Sequence, residues 1–137
     1  MKTFKQFLEN KVMTTDDIVR KIKSLNLRHG GGYCGETAIE INQKVFGGKG
    51  KYIGAANKFL FDHEDIFVGH VAVEYNNQIW DADGLIDLER LESWGMVDPE
   101  DSDYADYLGW TEEDAYEVKI MKLTEDQIRK YLPDCNI

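Results

Sequence analysis

The sequence predicts an α+β domain, on three observations. Apolar residues recur at helical spacing in the N-terminal half, as Ile18, Val19, Ile22 and Leu25 and again as Ala38, Ile39, Ile41 and Val45. Two β-rich runs then flank Asn76-Asn77, and asparagine tolerates the positive φ angles of a two-residue hairpin turn. Near the C-terminus, Glu117 to Leu123 alternates in the two-residue period of a strand. A chain of 137 residues is long enough for one real core, so a single domain over 1–137 is expected. Its N-terminal helices should pack on a mainly antiparallel sheet.

In order along the chain, Phe4, Phe7 and Leu8 predict a short amphipathic helix. Thr15 reads as the N-cap of a second, with Asp16 and Asp17 in its first turn. Asn26 to Gly32 breaks the helical pattern, and three glycines lead into Tyr33 and Cys34. A helix over about 34–45 follows and stops at Gly47-Gly48. Strands are expected around Tyr52-Ile53 and near Phe59 to Phe61, then a polar turn at Asp62 to Asp65. The hairpin spans about 66–83, and Leu85 to Trp94 predicts a short helix carrying Leu88 and Leu91. Thr124 with Gln127 forms a capping box for a last helix that ends before Pro133.

The hairpin turn fixes a register. With Tyr75 opposite Gln78, Val73 faces Trp80, Ala72 faces Asp81 and His70 faces Asp83. Side chains alternate across a strand, so His70, Asp81 and Asp83 share a polar face while Val71, Val73 and Trp80 share an apolar one.

Composition narrows the classes of function. The net charge of −10 argues against binding a phosphate backbone, hence against nucleic acid, and for a neutral or basic partner. No apolar run approaches the roughly 18 residues of a membrane span. No secretion signal is legible, so Cys34 and Cys135 are expected as free thiols in a reducing, cytoplasmic compartment. No Cys/His spacing matches a zinc site, and Asp98 to Asp106 lacks the glycine and terminal glutamate of an EF-hand loop; neither metal nor cofactor is expected.

Cys34 carries the most specific chemistry. A cysteine in the first turn of a helix sits against unpaired backbone N–H groups and the positive end of the helix dipole, both favouring thiolate. The thiol pKa, ordinarily about 8.5, falls in such settings, and the thiolate is the nucleophile. His70 can then serve as the base, with Asp81 or Asp83 orienting its ring. Each of these residues alone is more often structural; the conjunction on one polar face is what points to catalysis.

These residues resemble the papain-like superfamily in its broad sense, in particular its transglutaminase-like and arylamine N-acetyltransferase-like branches. The matching motifs are Gly32-Tyr33-Cys34-Gly35 with Ala38 after it, Gly69-His70-Val71-Ala72-Val73, and Ile79-Trp80-Asp81-Ala82. They span 30–84. The resemblance implies a papain-like α+β fold, Cys34 as nucleophile, His70 as base and Asp81 as the orienting carboxylate. Simple cross-strand pairing favours Asp83 instead. Papain-type proteases carry a glutamine shortly before the cysteine as an oxyanion donor, and here the approach reads Asn26-Leu27-Arg28-His29. The hole would use the Cys34 N–H with a second donor, Asn26 or Tyr33. The opening Met-Lys-Thr-Phe-Lys-Gln-Phe-Leu is similar to N-termini of tailed-phage proteins, implying a viral or bacterial origin and, if viral, the host cytoplasm.

The expected function is a small cysteine hydrolase or acyl transferase: a protease, amidase, deamidase or transglutaminase-like enzyme acting on a protein or peptide, or on a small amide or thioester. The alternative is a non-catalytic acidic protein whose Asp98–Glu117 surface, acidic and rich in aromatics without a lysine or arginine, engages a basic partner or mimics a polyanion.

Overall fold

The computed structural model describes residues 13–27, 34–64, 66–98 and 111–132. The predicted helix at Phe4 to Leu8, Tyr33, Cys135 and residues 99–110 of the acidic segment lie outside them.

Helix α1 (Thr15–Ser24) is capped by Thr14, not Thr15. The reason is the acid three residues on: Thr14 Oγ1 accepts the Asp17 N–H at 3.2 Å, and the Asp17 carboxylate accepts the Thr14 N–H at 3.1 Å. Helix α2 (Cys34–Lys44) begins on the cysteine, and β1 (Lys51–Asn57) follows the glycine-rich bend. The strand expected at Phe59–Phe61 is instead a helix, α3 (Lys58–Asp62). Buried Asn57 imposes this: its Oδ1 accepts the Leu60 N–H at 3.0 Å, and its Nδ2 donates to the Asp114 and Ala115 carbonyls.

The hairpin of β2 (Val68–Tyr75) and β3 (Gln78–Asp81) turns at Asn76-Asn77, whose φ angles of 53° and 61° suit a type I′ turn. Its register is the expected one, with Val73 opposite Trp80 and Tyr75 opposite Gln78. The predicted helix from Leu85 begins later, because Gly84–Ile86 forms a short strand, β4. Asp87 caps α4 (Leu88–Ser93), in which Leu91 is buried while Leu88 is exposed. Short α5 (Glu112–Tyr116), strand β5 (Val118–Leu123) and α6 (Glu125–Tyr131) complete the described chain, α6 carrying the predicted Thr124–Gln127 capping box.

The five strands form one sheet in the order β4-β3-β2-β1-β5, with every neighbouring pair antiparallel. The α+β class is therefore realised. One face carries the larger core: Val71, Val73 and Trp80 pack with Ile18 and Ile22 of α1, Ile39 and Ile41 of α2, and Ile128 of α6. Fully burying a side chain of this size stabilises the fold by about 1.5–3 kcal/mol. The opposite face, expected to be polar, also holds a small core of Ile53, Ala55, Ala72, Ile86 and Leu91. The cause is the near-continuous apolar run of β1, which needs cover on both sides and receives it from α4. No helix among the described residues is long and apolar enough to cross a membrane.

Candidate active site

Cys34, His70 and Asp81 converge from three elements. Cys34 opens α2, so its own N–H has no carbonyl partner within the helix. His70 stands on β2 beside a β-bulge: Ala55 of β1 pairs with His70 and Ala56 with Val68, leaving Gly69 as the extra residue. The bulge lets Val68 and Val71, three apart, both enter the larger core while His70 points elsewhere. Asp81 ends β3, and its residue is 5% exposed.

The His70 ring links the other two. Its Nε2 lies 2.9 Å from Asp81 Oδ2. The ring also faces the Cys34 side chain, near enough for the two groups to shift each other's ionisation. Burial pushes the Cys34 thiol up, but the His70 hydrogen bond, the Val71 and Gly35 backbone N–H groups and the imidazolium charge together bring it below its ordinary value. Burial pushes His70 down, and the Asp81 and Cys34 interactions more than reverse this, raising it to about 9. The two shifts run in the same sense, each favouring the charged form of its own group.

Asp83 takes a different place from the one expected. The β2–β3 ladder does not continue to a His70–Asp83 pair, because β3 reverses at Ala82-Asp83 and Asp81 pairs with Gly84 of β4. Asp81 Oδ1 accepts the Asp83 N–H at 2.8 Å, an Asx turn that starts the reversal. Gly84, at φ +102°, completes it in a conformation that side chains rarely adopt. The Asp83 carboxylate then faces Arg90 of α4 at 3.0 Å, with both side chains about half exposed.

Of the oxyanion candidates, Tyr33 is outside the described residues. Asn26, at φ 54°, lines two small clefts. One, of about 270 Å³, also touches Ala82 and Asp83; the other, of about 180 Å³, is lined by Glu36, Thr37 and Glu40 of α2. His63, from the polar turn, stacks on Phe59 and bonds its carbonyl oxygen through Nδ1 at 2.7 Å. Of the acidic segment, Glu112, Glu113 and Asp114 form the first turn of α5, where Asp114 is used in a capping box with Thr111.

Sequence reasoning missed the Val71 N–H on the sulfur, the Arg90 partner of Asp83, and Trp94, whose indole stacks on the His70 ring at 5.0 Å between centroids. A glycine inside a strand pattern is a bulge signal, so Gly69 was legible; a contact between residues 70 and 94 left no local trace. Compared with known proteins, the chain matches no family model, no curated protein and no solved structure.

Proposed function

We propose that this chain is a papain-like cysteine hydrolase or acyl transferase that forms an acyl-enzyme on Cys34. The observation that carries the reading is the His70 ring, bonded to the buried Asp81 carboxylate and facing a thiol at a helix start. In the first step the Cys34 thiolate attacks a carbonyl carbon. Negative charge moves to the carbonyl oxygen, where the Cys34 backbone N–H at the start of α2 can receive it. The His70 imidazolium gives its proton to the leaving amine or thiol, the bond to the leaving group breaks, and a thioester remains. Neutral His70 then takes a proton from water or an acceptor amine, which attacks the thioester and restores the thiolate and imidazolium. Asp81 holds the ring throughout and favours its charged form. Water as acceptor makes the protein a protease, amidase or deamidase; an amine acceptor makes it transglutaminase-like. Protein or peptide amides, or small amides and thioesters, fit the same centre.

The test uses a Cys135→Ser background, so that a single thiol is read. Iodoacetamide should alkylate Cys34 at pH 6 far faster than an ordinary thiol, and p-nitrophenyl acetate should give a burst with an acetyl group on Cys34. Both signals should collapse in His70→Ala. An alkylation profile that rises only near pH about 8.5 and ignores His70→Ala would sink the reading.

A further inference from the structure

We propose that Trp94 is a positioning residue whose indole and backbone together clamp His70 in line with the Cys34 sulfur, an inference that rests on the acyl-transfer reading above. Asp81 and the Cys34 side chain both engage the imidazole, and contacts of that kind still leave its plane free to rock about the line between them. The stack supplies the missing restraint, since the two ring planes are inclined by only 28°. Trp94 is itself anchored: it is the C-cap of α4, and its N–H donates to the Leu91 carbonyl at 3.1 Å.

The backbone of Trp94 grips the same place. A Cβ on Gly69 would collide with the Trp94 carbonyl oxygen, so that carbonyl sits directly against the bulge that aims His70. Apolar burial does not account for the indole, because Trp94 stays 43% exposed while the small core beneath α4 is filled by Leu91 and its neighbours. A half-exposed indole spent on an ionisable ring is explained by what it does to that ring. The titratable groups facing the imidazole are Cys34 from α2 and Asp81 from β3. Against them the indole face adds a cation–π attraction that favours the imidazolium, and a wall that limits rotation.

The experiment compares Trp94→Leu, Trp94→Phe and His70→Ala with the parent protein, all in the Cys135→Ser background. Two quantities are read: the pH profile of Cys34 alkylation, and the titration of the His70 Cε1–H signal by NMR. Trp94→Leu should lower the His70 midpoint by about half a pH unit, a threefold change in its protonation constant, and slow alkylation at pH 6 by a similar factor. Trp94→Phe, which keeps an aromatic face, should recover most of both. If Trp94→Leu changes neither quantity while His70→Ala abolishes fast alkylation, the clamp is wrong and the catalytic reading stands. If His70→Ala leaves alkylation untouched, the catalytic reading falls, and the NMR midpoint alone decides the clamp. Should Trp94→Leu fail to fold, the parent protein decides: absence of an NOE between the indole and the His70 ring overturns the proposal.

Discussion

Two turns bracket β3, and they act on the candidate site in opposite ways. Asn76-Asn77 closes the β2–β3 hairpin with backbone alone: both residues take positive φ, and the turn does no more than set which residues face each other. Ala82-Asp83 closes β3 onto β4 through a side chain, since the Asp81 carboxylate accepts the Asp83 N–H with one oxygen and contacts His70 with the other. The first turn delivers a register. The second decides which of two carboxylates stays with the histidine and sends the other to Arg90. A turn built on a side chain that also contacts the histidine couples the local fold to the candidate site; one built on backbone does not.

The largest test of that difference removes each carboxylate in turn. An unperturbed thiol near 8.5 is about 3% ionised at pH 7, so losing its activation can slow Cys34 alkylation by up to about thirtyfold. Asp81→Ala should approach that limit, because it frees the ring and the turn together. Asp81→Asn should cost less, since an amide oxygen can still accept from Nε2 while the charge is gone. Asp83→Asn breaks an exposed ion pair worth about 0–1 kcal/mol and should leave the rate within about twofold. Stability should also acquire a signed pH dependence. His70 is raised from 6.5 to about 9 in the fold, so its contribution is complete below pH 6.5 and is lost as pH rises through 9. Melts across that window should show parent and Asp81→Ala converging toward alkaline pH. An equal response of Asp81 and Asp83 variants would erase the distinction between the two turns.

Gly84→Ala ranks next. A Cβ there would meet only Val19, at 3.6 Å, so space is available and the cost lies in the φ of +102°. A side chain held in such a conformation costs about 1–3 kcal/mol. The melting temperature should therefore drop by several degrees, and alkylation at pH 6 should slow because Asp81 is the residue paired with Gly84. Gly84→Asn should be milder, as asparagine tolerates positive φ. Full stability in Gly84→Ala would mean that this turn is not strained at all.

How much of this was legible depended on whether the cause was local. The Asn-Asn turn, the hairpin register from Tyr75–Gln78 to Val73–Trp80, the start of α2 at Cys34 and the Thr124 capping box all rest on residues within a few positions, and all are present. The α3 helix was misread because Phe59-Leu60-Phe61 looks like a strand, whereas a buried asparagine just before it caps a helix. The polar face assigned to His70 ignored β1, whose apolar run demanded cover on that side too. The second turn had a signal, Asp83-Gly84 after a β-rich run, but extending the first register past Asp81 hid it. Trp94 had none, because a ring stack across α4 and β2 is a property of tertiary packing.

The smallest expected effect belongs to the first turn, and it is the sharpest control. Asn-Gly is the preferred pair for a type I′ turn, since glycine carries no penalty at positive φ. Asn77 already adopts φ 61°, so Asn77→Gly replaces a tolerated conformation with an easy one, offset by the extra freedom glycine has when unfolded. The net change should be slightly stabilising and within about 0.5 kcal/mol, read by denaturant midpoint at unchanged slope. Cys34 alkylation at pH 6 and the His70 titration should not move, because the ladder from Tyr75–Gln78 to Val73–Trp80 is unaffected. The same glycine placed at Asp83, in the turn built on Asp81, keeps the backbone N–H that Asp81 accepts and should also spare the His70 contact while losing Arg90. If Asn77→Gly instead slows alkylation as Asp81→Ala does, the hairpin end sets the histidine after all, and the division of labour between the two turns is wrong.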